Sequence, residues 1–388
     1  RECTYFSYSQ LPTYFYSLSR QKEQKLMATS ILGPLMVDVC GLSLSAVEKA
    51  RLLRPEIGGV ILFQRNFQDR EQLTNLVKEI KTLKSPSLLI AVDQEGGGRV
   101  QRFTKQFTIL PAMGTLGRIY EEKGLQQAQY AAKQVGWVLA TELGAIGIDF
   151  SFTPVLDLDW GYSQVIGNRS FHQQAEIVIA LAEALIEGLK KAGMMACGKH
   201  FPGHGFVRAD SHEELPQDER NWNDLWQNDV RVFAELIKKK QLCAIMPAHV
   251  CYPKVDMQAA GYSRYWLYTI LRKKLDFQGI IISDSLTMAG AAQGLKCIVD
   301  RVALAKQAGV NIFLIGNAPH LVDQVLEHSE ALGLMSYLPN WQKIRGQKES
   351  QQNQETLGTK EFRQACQLLD SIHQYYPFYN MGNLVGEV

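Results

Sequence analysis

The feature of this sequence that most constrains its fold is a series of eight short apolar runs. The runs span residues 34–39, 58–63, 87–93, 148–155, 194–200, 243–250, 279–284 and 311–316. Each has the length and composition of a buried parallel strand. Apolar residues at helical spacing lie between the runs, for example Leu125, Ala128, Ala132, Val135 and Leu139. The alternation of strands and helices predicts parallel βαβ units.

Eight such units predict an α/β fold of the (β/α)8 TIM-barrel type, with one catalytic domain, and an open doubly wound sheet is the alternative. We assign the barrel to residues 27–345. Residues 1–26 precede Met27 and are interpreted either as an extension that is not native or as a packed N-terminal arm. Residues 346–388 are polar and glutamine-rich, then amphipathic, which predicts a linker and a closing helix.

Composition and charge argue against several classes of protein. The chain has 41 Lys and Arg against 39 Asp and Glu, so it lacks the basic surplus of a nucleic-acid-binding protein. Its seven cysteines are scattered and form no CxxC pair, which argues against a zinc ribbon or a disulfide framework and favours a reducing compartment. No apolar run is long enough to span a membrane. We therefore expect a cytoplasmic monomer without a nucleic-acid or membrane partner.

Polar residues gather where the predicted strands end. They are Asp93, Asp157, His200, His249 and Asp284. Barrel enzymes assemble their active sites at this end of the strands. The stretch KHFPGHGFVRADSH, residues 199–212, also holds three histidines and two glycines. Histidine titrates near neutral pH and is a common metal ligand, so this loop predicts either proton transfer or metal binding.

Six motifs occur in order along the chain. They are DQEGGGRVQR (93–102), SFTPVLDLD (151–159), IGNRSF (166–171), KHFPGHG with DSH (199–212), MPAHV (246–250) and GIIISDSLTM (279–288). Together they closely resemble the β-N-acetylglucosaminidase branch of glycoside hydrolase family 3, from about Leu35 to Asn317. The resemblance implies a barrel enzyme without cofactor or metal. It implies hydrolysis of terminal β-linked N-acetylglucosamine (GlcNAc) with retention, through a covalent glycosyl-enzyme.

The resemblance also assigns roles to single residues. Asp284 matches the nucleophile, and His212 matches the general acid and base, paired with Asp210. A carboxylate-oriented imidazole can give a proton to the leaving oxygen and later accept one from water. The residues that match substrate-binding positions are Asp93, Arg102, Arg169, Lys199 and His200.

Other residues of the motifs are interpreted more simply or depart from the pattern. We expect His204 to shape its loop and His249 either to contact substrate or to support residues that do. Three glycines, 96–98, stand where two are usual, which would displace Arg102. Ser285 stands where many members have a second aspartate, and Phe206 stands where a polar residue is usual.

Three alternatives stay open at this point. A phosphorylase would use the same residues with phosphate in place of water. A metal-dependent barrel hydrolase would draw its ligands from His200, His204, Asp210, His212 and His249. An inactive sugar-binding module is the third, against which the intact motif residues argue. By analogy, the substrate would be a GlcNAc-containing 1,6-anhydro-muropeptide of peptidoglycan recycling or a chitooligosaccharide.

Overall fold

The computed structural model describes residues 31–377, apart from 99, 209–210, 212–214, 293, 296 and 348. Its strands, in chain order, are β1 (Leu35–Asp38), β2 (Ile57–Leu62), β3 (Leu89–Val92), β4 (Phe150–Ser151), β5 (Cys197–Phe201), β6 (Ala244–Pro247), β7 (Cys251–Tyr252), β8 (Asp256–Ala259), β9 (Ile280–Ile281) and β10 (Phe313–Ile315). All the strands except β8 are buried throughout. This burial on both faces explains why their sequences are continuous apolar runs.

The strands form two parallel sheets and one antiparallel hairpin. One sheet has the order β10-β1-β2-β3-β4 and the other has the order β5-β6-β9. Isolated parallel bridges lie between the sheets, at Phe150 with Met195, Val155 with Lys199, and Ile282 with Ile312. Each of the eight strands in these sheets overlaps one of the eight predicted runs. The prediction of an α/β fold with mostly parallel strands is therefore confirmed.

Helices follow most of the parallel strands. They are α1 (Ala46–Leu52), α2 (Arg70–Thr82), α3 (Met113–Lys123), α4 (Leu125–Ala145), α5 (Ala175–Lys191), α6 (Trp222–Gln227), α7 (Asp229–Lys238), α8 (Ala289–Ala292), α9 (Ile298–Ala308), α10 (Pro319–Glu327), α11 (Ser350–Leu357) and α12 (Lys360–Tyr375). Helix α2 shows the local logic, because the Asp69 side chain caps its first turn by accepting a hydrogen bond from the Gln72 N–H. Its apolar face buries Leu73, Leu76 and Ile80.

A hairpin and a π-helix near the sheets were not predicted. Strands β7 and β8 pair as an antiparallel hairpin directly after β6. Residues Tyr265–Lys274 form a π-helix, which buries Trp266 in the core. In the part of the chain that the structure covers, no helix is both long enough and apolar enough to cross a membrane.

Candidate functional site

Charged and polar side chains gather beyond the carboxyl ends of the parallel strands. Asp93 and Glu95 follow β3, and Asp284 follows β9. Lys199 and His200 belong to the last part of β5 itself. This agrees with the sequence analysis, which placed His200 at or just past the end of a strand. This edge is where α/β enzymes assemble active sites.

Four of these side chains form one ion-pair network, which we call the charge quartet: Asp93, Glu95, Arg169 and Lys199. The Lys199 ammonium lies 2.7 Å from Asp93 Oδ1 and 2.5 Å from Glu95 Oε1. The Arg169 guanidinium donates two hydrogen bonds to Glu95, from Nε at 2.9 Å and from Nη2 at 2.8 Å. The quartet brings together three predicted substrate-binding residues around a glutamate that sequence analysis did not select.

Burial and pairing fix the charges of the quartet. The Glu95 side chain is 2% exposed and that of Lys199 is 3% exposed. Burial alone would raise the pKa of Glu95, but Arg169 and Lys199 outweigh it and hold that pKa well below its usual range. Burial likewise opposes the charged form of Lys199, but Asp93 and Glu95 raise its pKa above the ordinary value. Glu95 and Lys199 are therefore both ionised at neutral pH.

His200 is held by a buried aspartate. Its Nδ1 donates to Asp157 Oδ2 at 2.7 Å, and its backbone N–H donates to Asp157 Oδ1 at 3.2 Å. Asp157 is fully buried, yet the nearby imidazole of His200 keeps its pKa lowered against the effect of desolvation. This pair fixes the ring orientation of His200, as carboxylates do for histidines in other active sites.

His204 contacts the other end of its own loop. Its backbone N–H donates to Asp157 Oδ1 at 2.7 Å, and its Nε2 shares a hydrogen bond of 3.1 Å with Ser211 Oγ. Burial and the neighbouring His200 lower the pKa of His204 to about 4, so the ring is neutral at pH 7. These contacts are compatible with a loop-shaping role, which stays a prediction.

Asp284 is a half-buried carboxylate next to this histidine loop. Its Oδ1 accepts a hydrogen bond from the Ser285 N–H at 2.7 Å. Its negative charge also reaches His204, whose pKa it raises against the larger lowering effect of burial. His249 Nε2 donates to the Ser285 carbonyl at 3.2 Å and thus supports the strand end that holds Asp284.

The predicted acid and base residues, Asp210 and His212, lie outside the described residues. Ser211 between them is described, and its side chain is buried. Its carbonyl accepts a hydrogen bond of 2.7 Å from the N–H of Gly290, six residues after Asp284 in the chain. The loop therefore passes close to the segment that follows the predicted nucleophile.

The extra glycine of the first motif lies in a tight turn. Gly96 and Gly97 have φ angles of 117° and 74°, in the region that favours glycine. A Cβ on Gly97 would lie 2.8 Å from that of Ala112. The backbone N–H of Arg102 is nevertheless fixed, because it donates to Gln94 Oε1 at 2.8 Å. Arg102 Nε is buried and has no hydrogen-bond partner among the residues described.

Phe206, which stands where a polar residue is usual, packs against two aromatic rings and an arginine. Its ring makes edge contacts with Trp160 at 5.8 Å and Tyr162 at 5.3 Å between centroids. The Arg220 guanidinium lies 4.2 Å from the ring centroid and forms an ion pair of 2.6 Å with buried Asp229. The first half of the loop is thus anchored by aromatic and cation–π contacts.

Gly205 precedes this anchor and lies against the β4 loop. A Cβ at this position would be 1.8 Å from the carbonyl oxygen of Leu158, which leaves no space for any side chain. The glycine next to His204 is therefore required by a close approach of two backbone segments.

The metal-site interpretation gains no support from this geometry. Within the described part of the chain, no group of three or more His, Cys, Asp or Glu residues is arranged to hold a metal ion. Two of the five candidate ligands, Asp210 and His212, are outside that part.

Sequence reasoning missed Glu95 and Ser211 as residues of this region. Glu95 has a recognisable signal, because it stands two residues after Asp93, and residues at this spacing share a side of an extended chain. Ser211 has no comparable signal, since its contacts with His204 and Gly290 depend on the folded loop.

Known proteins resemble this chain over most of its length. The model of the glycosyl hydrolase family 3 N-terminal domain matches residues 20–337. The beta-hexosaminidase of Neisseria meningitidis serogroup A is 50% identical over 333 residues, which covers 86% of this chain and 91% of the relative. That of Chromobacterium violaceum is 50% identical over 324 residues, or 80% and 90%.

A solved structure is similar in both sequence and fold. NagZ from Neisseria gonorrhoeae, in complex with N-trifluoroacetyl-D-glucosamine, has a TM-score of 0.82 and 47% identity. The superposition covers 88% of this chain and 98% of that chain.

Proposed function

The chain belongs to glycosyl hydrolase family 3, and from this premise we propose that it is a retaining exo-β-N-acetylglucosaminidase. Its curated relatives are beta-hexosaminidases, and the chain is a glycoside hydrolase of that kind. The observation that supports the finer proposal most strongly is the site itself. A half-buried carboxylate, Asp284, stands at the same strand edge as the polar residues that a sugar would contact.

Asp284 is the nucleophile in this proposal. One carboxylate oxygen forms a bond to the anomeric carbon as the bond from that carbon to the leaving oxygen breaks. Water then attacks the anomeric carbon and releases Asp284, so two inversions give net retention. The hydrogen bond from the Ser285 N–H orients the carboxylate before attack.

His212, oriented by Asp210, is the proton carrier. It protonates the leaving oxygen in the first step and accepts a proton from water in the second. The position of Ser211 supports this role. Ser211 lies between the two residues in the chain, and its carbonyl accepts a hydrogen bond from the N–H of Gly290, in the segment that follows Asp284.

The remaining residues bind the terminal sugar. Asp93 accepts hydrogen bonds from sugar hydroxyls, whereas Lys199 and His200 donate to them. Arg169 and Arg102 donate to hydroxyl or acetamido oxygens, for which a guanidinium offers several fixed N–H groups. The complex of the Neisseria gonorrhoeae NagZ with N-trifluoroacetyl-D-glucosamine supports a GlcNAc-type ligand.

We also propose that the two parallel sheets are parts of one closed eight-stranded barrel, which spans residues 27–345. The bridges at Phe150, Val155 and Ile282 support closure, because they connect the edge strands of the two sheets. In this proposal, residues 346–388 are an appended segment, whereas the prediction for residues 1–26 lies outside the described residues.

The biological substrate in this proposal is a GlcNAc-1,6-anhydro-muropeptide of peptidoglycan recycling in the cytoplasm, hydrolysed by a monomer. The test is product analysis on GlcNAc-anhydromuramyl substrate and on chitobiose, with and without phosphate. Free GlcNAc of β configuration as first product, unchanged by phosphate, is expected. GlcNAc 1-phosphate would favour a phosphorylase, and rate loss with a chelator, restored by zinc, would favour a metal-dependent hydrolase.

A further inference from the structure

Glu95 is a buried acid that the proposed reaction does not use. We propose that Glu95 is a positioning and specificity-determining residue, which fixes Arg169 and Lys199 and cancels their charge so that the subsite takes an uncharged sugar and excludes anions. The inference rests on the proposed function, because it takes Arg169 and Lys199 as sugar-binding groups.

The contacts of Arg169 explain the positioning role. Two guanidinium nitrogens donate to the two oxygens of Glu95, and the third, Nη1, donates to the Val165 carbonyl at 3.2 Å. A planar fork bound at three nitrogens has a defined orientation, and its remaining N–H groups have fixed directions. A sugar oxygen would meet donors that are already in place.

Glu95 acts on Lys199 in the same way. The ammonium has three N–H groups, and the carboxylates of Asp93 and Glu95 lie at hydrogen-bond distance from it. These two contacts fix the direction of the third N–H. This N–H is the one that would donate a hydrogen bond to a sugar hydroxyl. Loss of either carboxylate would leave a buried ammonium free to turn.

The charge balance explains the specificity role. The charge quartet contains two cations and two anions, so its charges sum to zero. The side chains of Glu95, Lys199 and Arg169 are 2%, 3% and 11% exposed, so water screens them weakly. Without Glu95, the quartet would hold one net positive charge in a poorly solvated place, which is the property of an anion site.

The test compares wild type, Glu95→Gln and Glu95→Asp. Glu56→Gln is the matched control, because Glu56 is a buried glutamate paired with Arg54 at 2.9 Å, before the amino end of β2. Calorimetry measures the affinity for GlcNAc, and competition against GlcNAc measures the affinity for inorganic phosphate. Neither measurement depends on turnover.

We expect Glu95→Gln to weaken GlcNAc binding by at least about tenfold and to strengthen phosphate binding by at least about tenfold. The gain in phosphate binding should fall with added salt. GlcNAc binding should also be lost at a lower alkaline pH than in wild type, because Lys199 would keep only one carboxylate. The control should behave as wild type does.

Unchanged binding of GlcNAc and phosphate by Glu95→Gln would refute the inference. Weaker GlcNAc binding without a gain for phosphate would refute the charge-cancelling role. Should Glu95→Gln not fold, Glu95→Asp decides: it keeps the charge, so it should weaken GlcNAc binding and still exclude phosphate, and phosphate binding by it would overturn the inference. Failure of wild type to bind GlcNAc would instead refute the proposed function.

Discussion

The buried pair of Asp157 and His200 gives a sharp prediction for the variant Asp157→Asn. Asp157 has no exposed surface and accepts three N–H groups, two from His200 and one from the His204 backbone. Asparagine has nearly the same shape but presents an N–H₂ group in place of one oxygen. That group would face His200 Nδ1, which donates in the wild type.

The variant must therefore lose the charge-assisted bond to His200 or shift its ring proton to Nε2. A hydrogen bond to a charged group contributes about 1.5–3 kcal/mol, and no solvent reaches this site to replace it. Loss of the bond would free the His200 ring to turn, and a proton shift would exchange the donor and acceptor roles of its two nitrogens, so GlcNAc affinity should fall about tenfold to 100-fold.

Calorimetric titration with GlcNAc, together with denaturant unfolding, measures both consequences. Asp159→Asn is the control, because Asp159 lies in the same loop and accepts only from the Gly161 N–H among the hydrogen bonds described. The pKa of Asp157 is lowered on folding, so its stabilising effect is present above about pH 4 and is lost as the pH falls further. The stability deficit of the variant should shrink accordingly.

Equal GlcNAc affinity in Asp157→Asn and in wild type would refute the role given to His200. An equal stability deficit at all pH values would refute the charge argument.

The remaining predictions concern the reaction and pH. Asp284→Ala should abolish turnover while unfolding as wild type does, and a 2-fluoro-sugar inactivator should label the wild-type peptide that contains Asp284; a label elsewhere would reassign the nucleophile. His212→Ala should slow cleavage of a natural disaccharide about 100-fold to 10,000-fold, but slow glycosylation by a nitrophenyl substrate much less, with partial rescue of its turnover by azide; equal losses without rescue would contradict acid–base catalysis. Burial raises the pKa of Glu142 to about 7, so its folded form favours the proton and stability should fall as pH rises from about 4.5 to 7. In Glu142→Gln, the free energy of unfolding measured with denaturant should fall by roughly 3 kcal/mol less than in wild type over this pH range. An equal fall in the two proteins would contradict the prediction.

The strand positions were predictable because burial on both faces leaves a simple signal. The run at 87–93 contains β3, and the run at 311–316 contains β10. Strand β4 is only Phe150–Ser151, within a run of eight residues, because the Thr153 N–H turns back to donate to the Ser151 carbonyl at 2.8 Å and the next residue, Pro154, has no N–H. The β7–β8 hairpin was not predicted, since Asp256–Ala259 is mostly exposed or half-exposed and has no apolar run.

The sequence indicated which segments are helical, but not whether each segment forms one unbroken helix. The spacing from Leu125 to Leu139 belongs to one helix, α4. Leu225, Val230, Phe233 and Ile237 also stand at helical spacing in the sequence, but they are divided between α6 and α7, because Asn228 between the two helices has a φ of -113° and a ψ of -83°. The segment for which a linker is predicted contains α11, which packs against α4.

The site shows the limit of reasoning from one sequence. Strand ends identified Asp93, Asp157, His200 and Asp284, since position along the chain implies position at the sheet edge. The pairing of Glu95 with Arg169 joins residues 74 apart in the chain, and no local pattern indicates it. The roles given to the site residues stay predictions that the proposed variants test.

The close approach of Gly205 to Leu158 also divides the histidine loop by its tolerance to mutation. In a saturation library, position 205 should accept no side chain, because the carbonyl of Leu158 occupies the space. Position 206 should accept flat or aromatic side chains that keep the contacts with Trp160 and Arg220. An engineer who wishes to alter which leaving group the enzyme accepts should therefore leave the GHG segment intact and vary the residues after it.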